Sequence, residues 1–458
     1  MKPTFRDKIV GVHEIDISAD LLVAALLSLS SSETVSILDS CGVGHLGSHL
    51  LIAGIEPVET LELSNGDPNQ TLDLLDEKLV GDLACIFTIS YDFGLKLLGI
   101  PSRNKGFLSD LEPDVFLARF DTLIVHDYNT GATSLVGNSE KFALIIEKLQ
   151  GSVPASSDLS EISDFKFEIS DEPTTVTSNF TKAEYLTAIE SIKELIRSGD
   201  TYQTNLTQQL TAQLPDELTA EHVFWRLRRN HPASFAAFIK RVDSSVVSAS
   251  PERFIRVDVD RRTISTSPIK GTRPRGKTAA KDNALRHELL TSPKDIAENT
   301  MIVDLLRNDL GRICEYGSVR VEKLYDLEEH PTLFHLVSTI SGKLRKNTAF
   351  SDILKAVFPC GSITGAPKIS TMRIIDEIET VNRGLSMGAI GYSIPKTGFS
   401  MPQTIDMSVA IRTMTIRDRT ATFNVGGGIV IDSNPDSEYD ETLTKARALL
   451  AAIGGNFP

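Results

Sequence analysis

Residues 267–276 read Ser-Pro-Ile-Lys-Gly-Thr-Arg-Pro-Arg-Gly. Rigid Pro268 and pliant Gly271 bracket Lys270, and two short β-rich runs bracket the whole segment. A lysine held this way is a nucleophile or an anion anchor, or else one more surface cation beside Arg273 and Arg275. Outward from it, strand-like runs recur at Tyr202–Leu210, Phe235–Ile239, Val246–Ser248 and Phe254–Val259, then at Gly388–Ile394, Ser408–Ile416 and Thr420–Val425. Helical stretches fall between them in mixed order, without regular βαβ alternation. That order predicts a large α+β protein with antiparallel sheets rather than a Rossmann fold or a barrel.

Helix signals are clear in the second half. Thr181-Lys-Ala-Glu184 is a capping-box pattern, with Tyr185, Ile189, Ile192 and Ile196 at helical spacing behind it. Ser292-Pro293 predicts a helix start running towards Leu306, Pro367 another running through Ile378, and a last helix spans about residues 437–452. The first half alternates short β-type runs (Val35–Leu38, Ala84–Ile89, Thr122–His126) with helices such as 139–149, and Leu21–Leu27 reads as a buried helix. Gly151–Ser178 is polar and reads as a linker or exposed crossover. Two regions result, 1–165 and 178–455.

The 458 residues carry 47 basic and 61 acidic side chains, a net charge of −14. Such a chain repels polyanions, which argues against nucleic-acid and membrane-surface binding; an anionic substrate needs a local basic pocket. Cys41, Cys85, Cys314 and Cys360 have no metal spacing and fit reduced thiols. No apolar run has signal-peptide or membrane-span length, so a cytoplasmic location is expected.

Several groups could carry chemistry. Asp295 and Glu298 share one helix face; Glu438, Glu441 and Lys445 share another. These are either two solvated acidic faces or two carboxylate-bearing helices able to hold a hard cation. Gly426-Gly-Gly428 is either an anion-binding backbone or a tight turn. Gly361–Lys368 fails as a phosphate loop on its glycine spacing, although Thr364 precedes a helix start and can meet a carboxylate there. Glu252 is a general acid if desolvated and an exposed carboxylate otherwise. His335 lies in an apolar stretch, where a hydrogen-bonded core histidine is the commoner case. Arg412, on an alternating run, points inward only with an anionic partner.

In order and spacing these segments resemble the chorismate-utilising enzymes. The resemblance rests on Gly199–Leu206, Ser250-Pro-Glu-Arg-Phe254, Pro268-Ile-Lys-Gly-Thr272, Glu298–Leu305, Arg307-Asn-Asp309, His335-Leu-Val-Ser338, Gly361–Lys368, Gly388-Ala-Ile-Gly-Tyr392, Ile411-Arg-Thr413 and Gly426–Lys445. The first half is similar to the N-terminal region of the anthranilate synthase component I type, through Ile37-Leu-Asp-Ser40 and Tyr91-Asp-Phe-Gly94. The resemblance implies sandwiched antiparallel sheets with peripheral helices. It implies Mg²⁺ on Glu298, Glu438 and Glu441. Thr364, Tyr392, Arg412, Gly426, Gly428 and Lys445 would bind substrate, Lys270 and Glu252 would act as nucleophile and acid, and His335 would orient the ring. Lysine at 270, where anthranilate synthases usually carry alanine, implies amination of chorismate at C4 for p-aminobenzoate and folate synthesis. Gln203, where isochorismate synthases carry lysine, speaks against that activity. The alternative is anthranilate synthesis. Cys41 lacks the nucleophile elbow of a glutaminase, so ammonia would come from a separate glutamine amidotransferase subunit. Ser40 would mark a tryptophan-type pocket; Ile37-Leu-Asp-Ser40 matches the feedback segment only in part, which speaks against regulation by tryptophan and leaves a structural ligand or no ligand open.

Overall fold

The computed structural model describes residues 10–45, 47–79, 81–103, 112–152, 174–329 and 333–457. Most of the polar stretch read as a linker, 153–173, lies outside them.

Two large sheets dominate the described residues. The first has twelve strands, in the order Val10–Ile15, Ala132–Asn138, Thr122–Asp127, Leu50–Ile55, Val35–Asp39, Phe235–Lys240, Ser245–Ser250, Thr413–Arg417, Thr420–Ile429, Gln203–Gln213 and Gly365–Ala366, with Val176–Ser178 also paired to Gln203–Gln213. The second has ten: Ile269–Pro274, Leu333–Lys343, Thr263–Thr266, Arg253–Asp258, Thr404–Val409, Ala389–Ile394, Ala84–Ile89, Val115–Phe120 and Glu59–Leu63, with Arg320–Glu329 also on Leu333–Lys343. Every pairing between these strands is antiparallel. Both sheets draw strands from both halves of the chain: Val35–Asp39 pairs with Phe235–Lys240, and Ala84–Ile89 with Ala389–Ile394.

Alternation along the strands builds three apolar layers, because successive side chains leave opposite faces. Ile52, Ala237 and Val246 of the first sheet meet Ile86, Phe116 and Ile390 of the second between the sheets. On the outer face of the first sheet, Phe238 packs with Leu26, Phe224 and Leu449, from helices Ala19–Leu29, Ala220–Asn230 and Pro435–Ile453. On the outer face of the second, Phe87 and Phe254 pack with Leu75, Ile302 and Leu354, from helices Pro68–Leu79, Pro293–Gly311 and Phe350–Val357. Burying each such side chain contributes about 1.5–3 kcal/mol.

The helix starts follow their caps. Thr181 Oγ1 accepts from Glu184 N at 3.3 Å, and Glu184 accepts from Thr181 N at 2.8 Å. Ser292 Oγ accepts from Asp295 N at 3.3 Å ahead of Pro293.

Three expectations need correction. The run Ser408–Ile416 is two strands in different sheets, broken at Ala410–Arg412, where Arg412 has φ +48°. Gly426–Gly428 is not a turn after a strand but the strand itself, paired with Thr207, Leu206 and Asn205. Lys270 lies not in a turn but on edge strand Ile269–Pro274, whose register slips between Ile269 and Thr272.

Candidate active site

The chain passes from one sheet to the other at two neighbouring places. Pro251–Glu252 links Ser245–Ser250 to Arg253–Asp258, and Ala410–Arg412 links Thr404–Val409 to Thr413–Arg417. The crossings are bonded together: Val409 N donates to Glu252 O and Ala249 N to Arg412 O, both at 3.0 Å, and Ser250 Oγ donates to Val409 O at 2.6 Å. A crossing must leave ladder geometry, so it turns side chains into the space beyond the strand ends. Glu252 and Arg412 occupy those positions.

Glu252 is buried, 6% exposed. Burial pushes its carboxyl above the usual range, against the opposing charges of Lys270, Lys445 and Arg412 and a hydrogen bond from Ser362. Ser362 Oγ donates to Glu252 Oε1 at 2.8 Å, and Ser362 O accepts from Lys270 Nζ at 3.4 Å. One residue therefore touches both the lysine and the acid. Burial also lowers the Arg412 guanidinium, which Glu252 partly offsets. No described carboxylate forms an ion pair with Arg412, so a half-buried cation is left for an anion from outside the chain.

The bulge at Gly271 sets the course of the Lys270 strand. Gly271 has φ +92°, and a Cβ there would lie 2.8 Å from Leu289 Cδ1. The neighbouring cations are neutralised within the protein: Arg273 pairs with Glu288 and Asp295 at 2.8 and 3.1 Å, and Arg275 with Asp282 at 2.7 Å. Asp295 thus braces the strand while Glu298, one turn on, faces the site. His335 stands opposite Thr272 on the adjoining strand, with its Nδ1 2.9 Å from Thr272 Oγ1.

The acidic groups come from two helices. Glu298 lies on Pro293–Gly311, which packs on the Lys270 strand; Glu438 and Glu441 lie on Pro435–Ile453, which packs on Thr420–Ile429. Burial raises Glu298, opposed by Lys270 and Lys294. Burial pushes Glu441 up as well, but Lys445, Lys294 and Lys270 outweigh it and hold the carboxyl low. Lys445 Nζ lies 2.8 Å from Glu441 Oε1 and donates to Gly426 O at 2.8 Å. Gly427 opens towards this cluster: a Cβ there would lie 3.4 Å from Glu438 Oε2 and 3.8 Å from Glu441 Oε1. Gly426 and Gly428 are needed for close approach, since a Cβ would lie 1.9 Å from Leu206 O and 2.1 Å from Gln203 Nε2 respectively. Thr364 is fully buried, and its hydroxyl donates to Cys360 O at 3.1 Å.

This set is chemically suited to a hard divalent cation: three carboxylates, with a lysine ammonium already among them. Lys294 Nζ lies 3.8 Å from Glu298 Oε1 and 3.6 Å from Glu438 Oε1, joining the two helices. Among the described residues no three acidic, histidine or cysteine side chains already close on one point.

Tyr392 does not join this group. It lines a second cavity, with Ser40, His49, Phe235, Arg253 and Asp406, and its charged neighbours are Asp406, Arg256 and Arg253. The Ser40 hydroxyl is buried there without a hydrogen-bond partner. Sequence reasoning missed Ser362 and Lys294. Lys294 sits four residues before Glu298, the spacing of a helical ion pair, and that signal could have found it. Ser362 stands two residues before Thr364 in the Gly361–Lys368 segment, and nothing in the local sequence marks its hydroxyl. Two other motif residues are struts: Lys368 is paired with buried Asp309 at 2.8 Å.

Comparison with known proteins settles the family. Residues 33–451 match the model for chorismate binding enzymes. The chain belongs to the chorismate-binding enzymes. It is 36% identical over 436 residues to a protein of Haloarcula marismortui named anthranilate synthase component 1 3, covering 87% of this chain and 82% of that one. It is 38% identical over 362 residues to aminodeoxychorismate synthase component 1 of Klebsiella aerogenes, covering 79% and 75%. The crystal structure of anthranilate synthase component I from Streptococcus pneumoniae TIGR4 superimposes with a TM-score of 0.74 at 28% identity, covering 89% of this chain and 93% of that one. Relatives that carry two different names, anthranilate synthase and aminodeoxychorismate synthase, are thus both similar to this chain. No helix among the described residues is long and apolar enough to cross a membrane.

Proposed function

We propose that this chain aminates chorismate at C4, giving 4-amino-4-deoxychorismate for p-aminobenzoate and folate synthesis. The observation that carries this reading is the contact of Lys270 Nζ with Ser362 O, on the residue whose hydroxyl is bonded to Glu252. A primary amine beside a buried acid is the pair that a double displacement requires. The Lys270 amine, free of its proton, bonds to ring C2 while the ring double bonds shift and the C4–oxygen bond breaks. Glu252 gives its proton to the departing hydroxyl, which leaves as water. Ammonia then bonds to C4, the double bonds return, and the C2–nitrogen bond to Lys270 breaks. Ammonia loses a proton on addition, and the Glu252 carboxylate accepts it.

Arg412 pairs with a substrate carboxylate, since no described carboxylate forms an ion pair with it. The main chain of Gly426 and Gly428 offers its polar groups to the ligand, with bare Gly427 between them on the side of the acidic cluster; Lys445 and Thr364 hold that edge of the site, and His335 orients the ring. Mg²⁺ would be held by Glu298, Glu438 and Glu441 and, when bound, supplies Lewis-acid charge at the ring carboxylate. Ammonia comes from a separate glutamine amidotransferase subunit, and the protein works in the cytoplasm. The cavity at Ser40 takes a tryptophan-like amino acid. Its unpartnered hydroxyl and the aromatic walls of Phe235 and Tyr392 favour that reading; absence of heat on titration with L-tryptophan would exclude it.

The deciding experiment is incubation with chorismate, Mg²⁺ and ammonium. The expected product yields p-aminobenzoate only after a lyase is added. Direct appearance of fluorescent anthranilate would overturn the reading in favour of anthranilate synthesis, which the Haloarcula relative's name supports.

A further inference from the structure

Lys294 stands where a cation is wanted. Its ammonium lies 3.8 Å from Glu298 on its own helix and 3.6 Å from Glu438 on the other. It thus bridges carboxylates from two different helices, the position a divalent cation would take between them. The lysine is also free to leave: its side chain is 59% exposed, whereas those of Glu298 and Glu438 are 19% and 6% exposed. Glu438 is fixed further by Ser433, whose Oγ donates to Glu438 Oε1 at 2.7 Å. The carboxylates are therefore held in place, and the cation between them is on a flexible four-carbon tether.

From this geometry we infer that Lys294 is an internal stand-in for the divalent ion, which must swing out before the ion can enter. The inference rests on the magnesium reading above. The tethered ammonium keeps two acidic helix faces together when no ion is bound, and it competes with the ion for Glu298 and Glu438. Its removal acts twice in one direction. It frees two ligands, and it makes the site more negative by one charge. Divalent binding becomes tighter, while the ion-free protein loses the link between the helices.

The test is a titration of chelator-stripped protein with Mn²⁺, followed by electron paramagnetic resonance and calorimetry, together with melting in the presence of chelator. Lys294→Gln and Lys294→Ala are expected to bind Mn²⁺ about 3- to 10-fold more tightly than the parent, with lower melting temperatures in chelator that added ion restores. Lys294→Arg keeps the charge and should bind close to the parent. Equal or weaker binding by the Gln and Ala variants would overturn the inference. Uptake by none of the four proteins, parent included, would instead remove the magnesium reading on which it rests.

Discussion

Glu252 and Arg412 stand on adjacent crossings of the chain between the two sheets, joined by main-chain hydrogen bonds from Val409 to Glu252 and from Ala249 to Arg412. An acid and a cation 160 positions apart in sequence are thereby set by backbone ladders, not by mobile loops. Neither crossing can shift without breaking strand pairing in both sheets. Such a frame suits the proton-donor and anion-anchor roles proposed for Glu252 and Arg412, because it keeps both in one geometry.

Lys270 is the group whose loss should hurt most. Lys270→Ala is expected to lower the rate of C4 amination at least about 10³-fold while chorismate still binds. Mass spectrometry of the parent with chorismate and no ammonia should reveal a covalent adduct on Lys270. An undiminished rate in the variant would end the covalent route.

Ser362 positions both partners through one hydroxyl and one carbonyl. Ser362→Ala loses the hydrogen bond to Glu252, worth about 1–1.5 kcal/mol, so kcat should fall about 10-fold with KM nearly unchanged. Ser362→Thr keeps the hydroxyl and should recover most of the rate. Equal rates for Ala and Thr would exclude the role.

Glu252 must carry a proton to act as an acid. Its raised carboxyl keeps that proton to higher pH than an exposed glutamate, and activity should fall as pH rises through the raised value. Glu252→Gln should lose about 10²- to 10⁴-fold in rate and show no alkaline fall from this group. The same sign holds for stability: the folded state keeps the proton more tightly, so this group's favourable contribution is present at low pH and lost as pH rises through the folded value.

Asp92 offers a separate pH signature. Burial pushes its carboxyl up to about 7, and its Oδ1 is buried without a partner while Oδ2 accepts from Gly384 N at 2.9 Å. Protonation therefore favours the folded state, and stability should decline between about pH 4 and pH 7. Urea unfolding across that range should show the decline in the parent and a flatter profile in Asp92→Asn. Identical profiles would rule out Asp92 as the source.

The glycine run separates packing from binding. Gly426→Ala places a Cβ 1.9 Å from Leu206 O and should destabilise the protein by several kcal/mol, of order 3 or more. Gly427→Ala meets only ordinary contacts at 3.4–3.8 Å and should fold normally, with any loss appearing in ligand affinity. Melting temperatures of the two variants decide this; a stable Gly426→Ala would refute the close-approach account.

Local signals in the chain were enough for the helix caps at Thr181 and Ser292, the antiparallel character of the strands, and the chemical types at Lys270, Glu252, Glu298, Glu438 and Glu441, since caps, periodicity and side-chain chemistry are properties of neighbours in sequence. They misjudged the run through Arg412, because a chain that passes between sheets keeps β-type composition on both sides of the break. The place of Tyr392 beside the Ser40 cavity was illegible for a related reason: a strand alternates its faces, and only the sheet's neighbours say which cavity each face meets. The contact of Ser362 with Glu252 and the reach of Lys294 to Glu438 emerged only from the tertiary structure, where segments distant in sequence come within hydrogen-bonding or charge distance. Sequence determined which groups this protein owns; long-range strand pairing decided which of them meet, because the energy of a contact depends on distance in space.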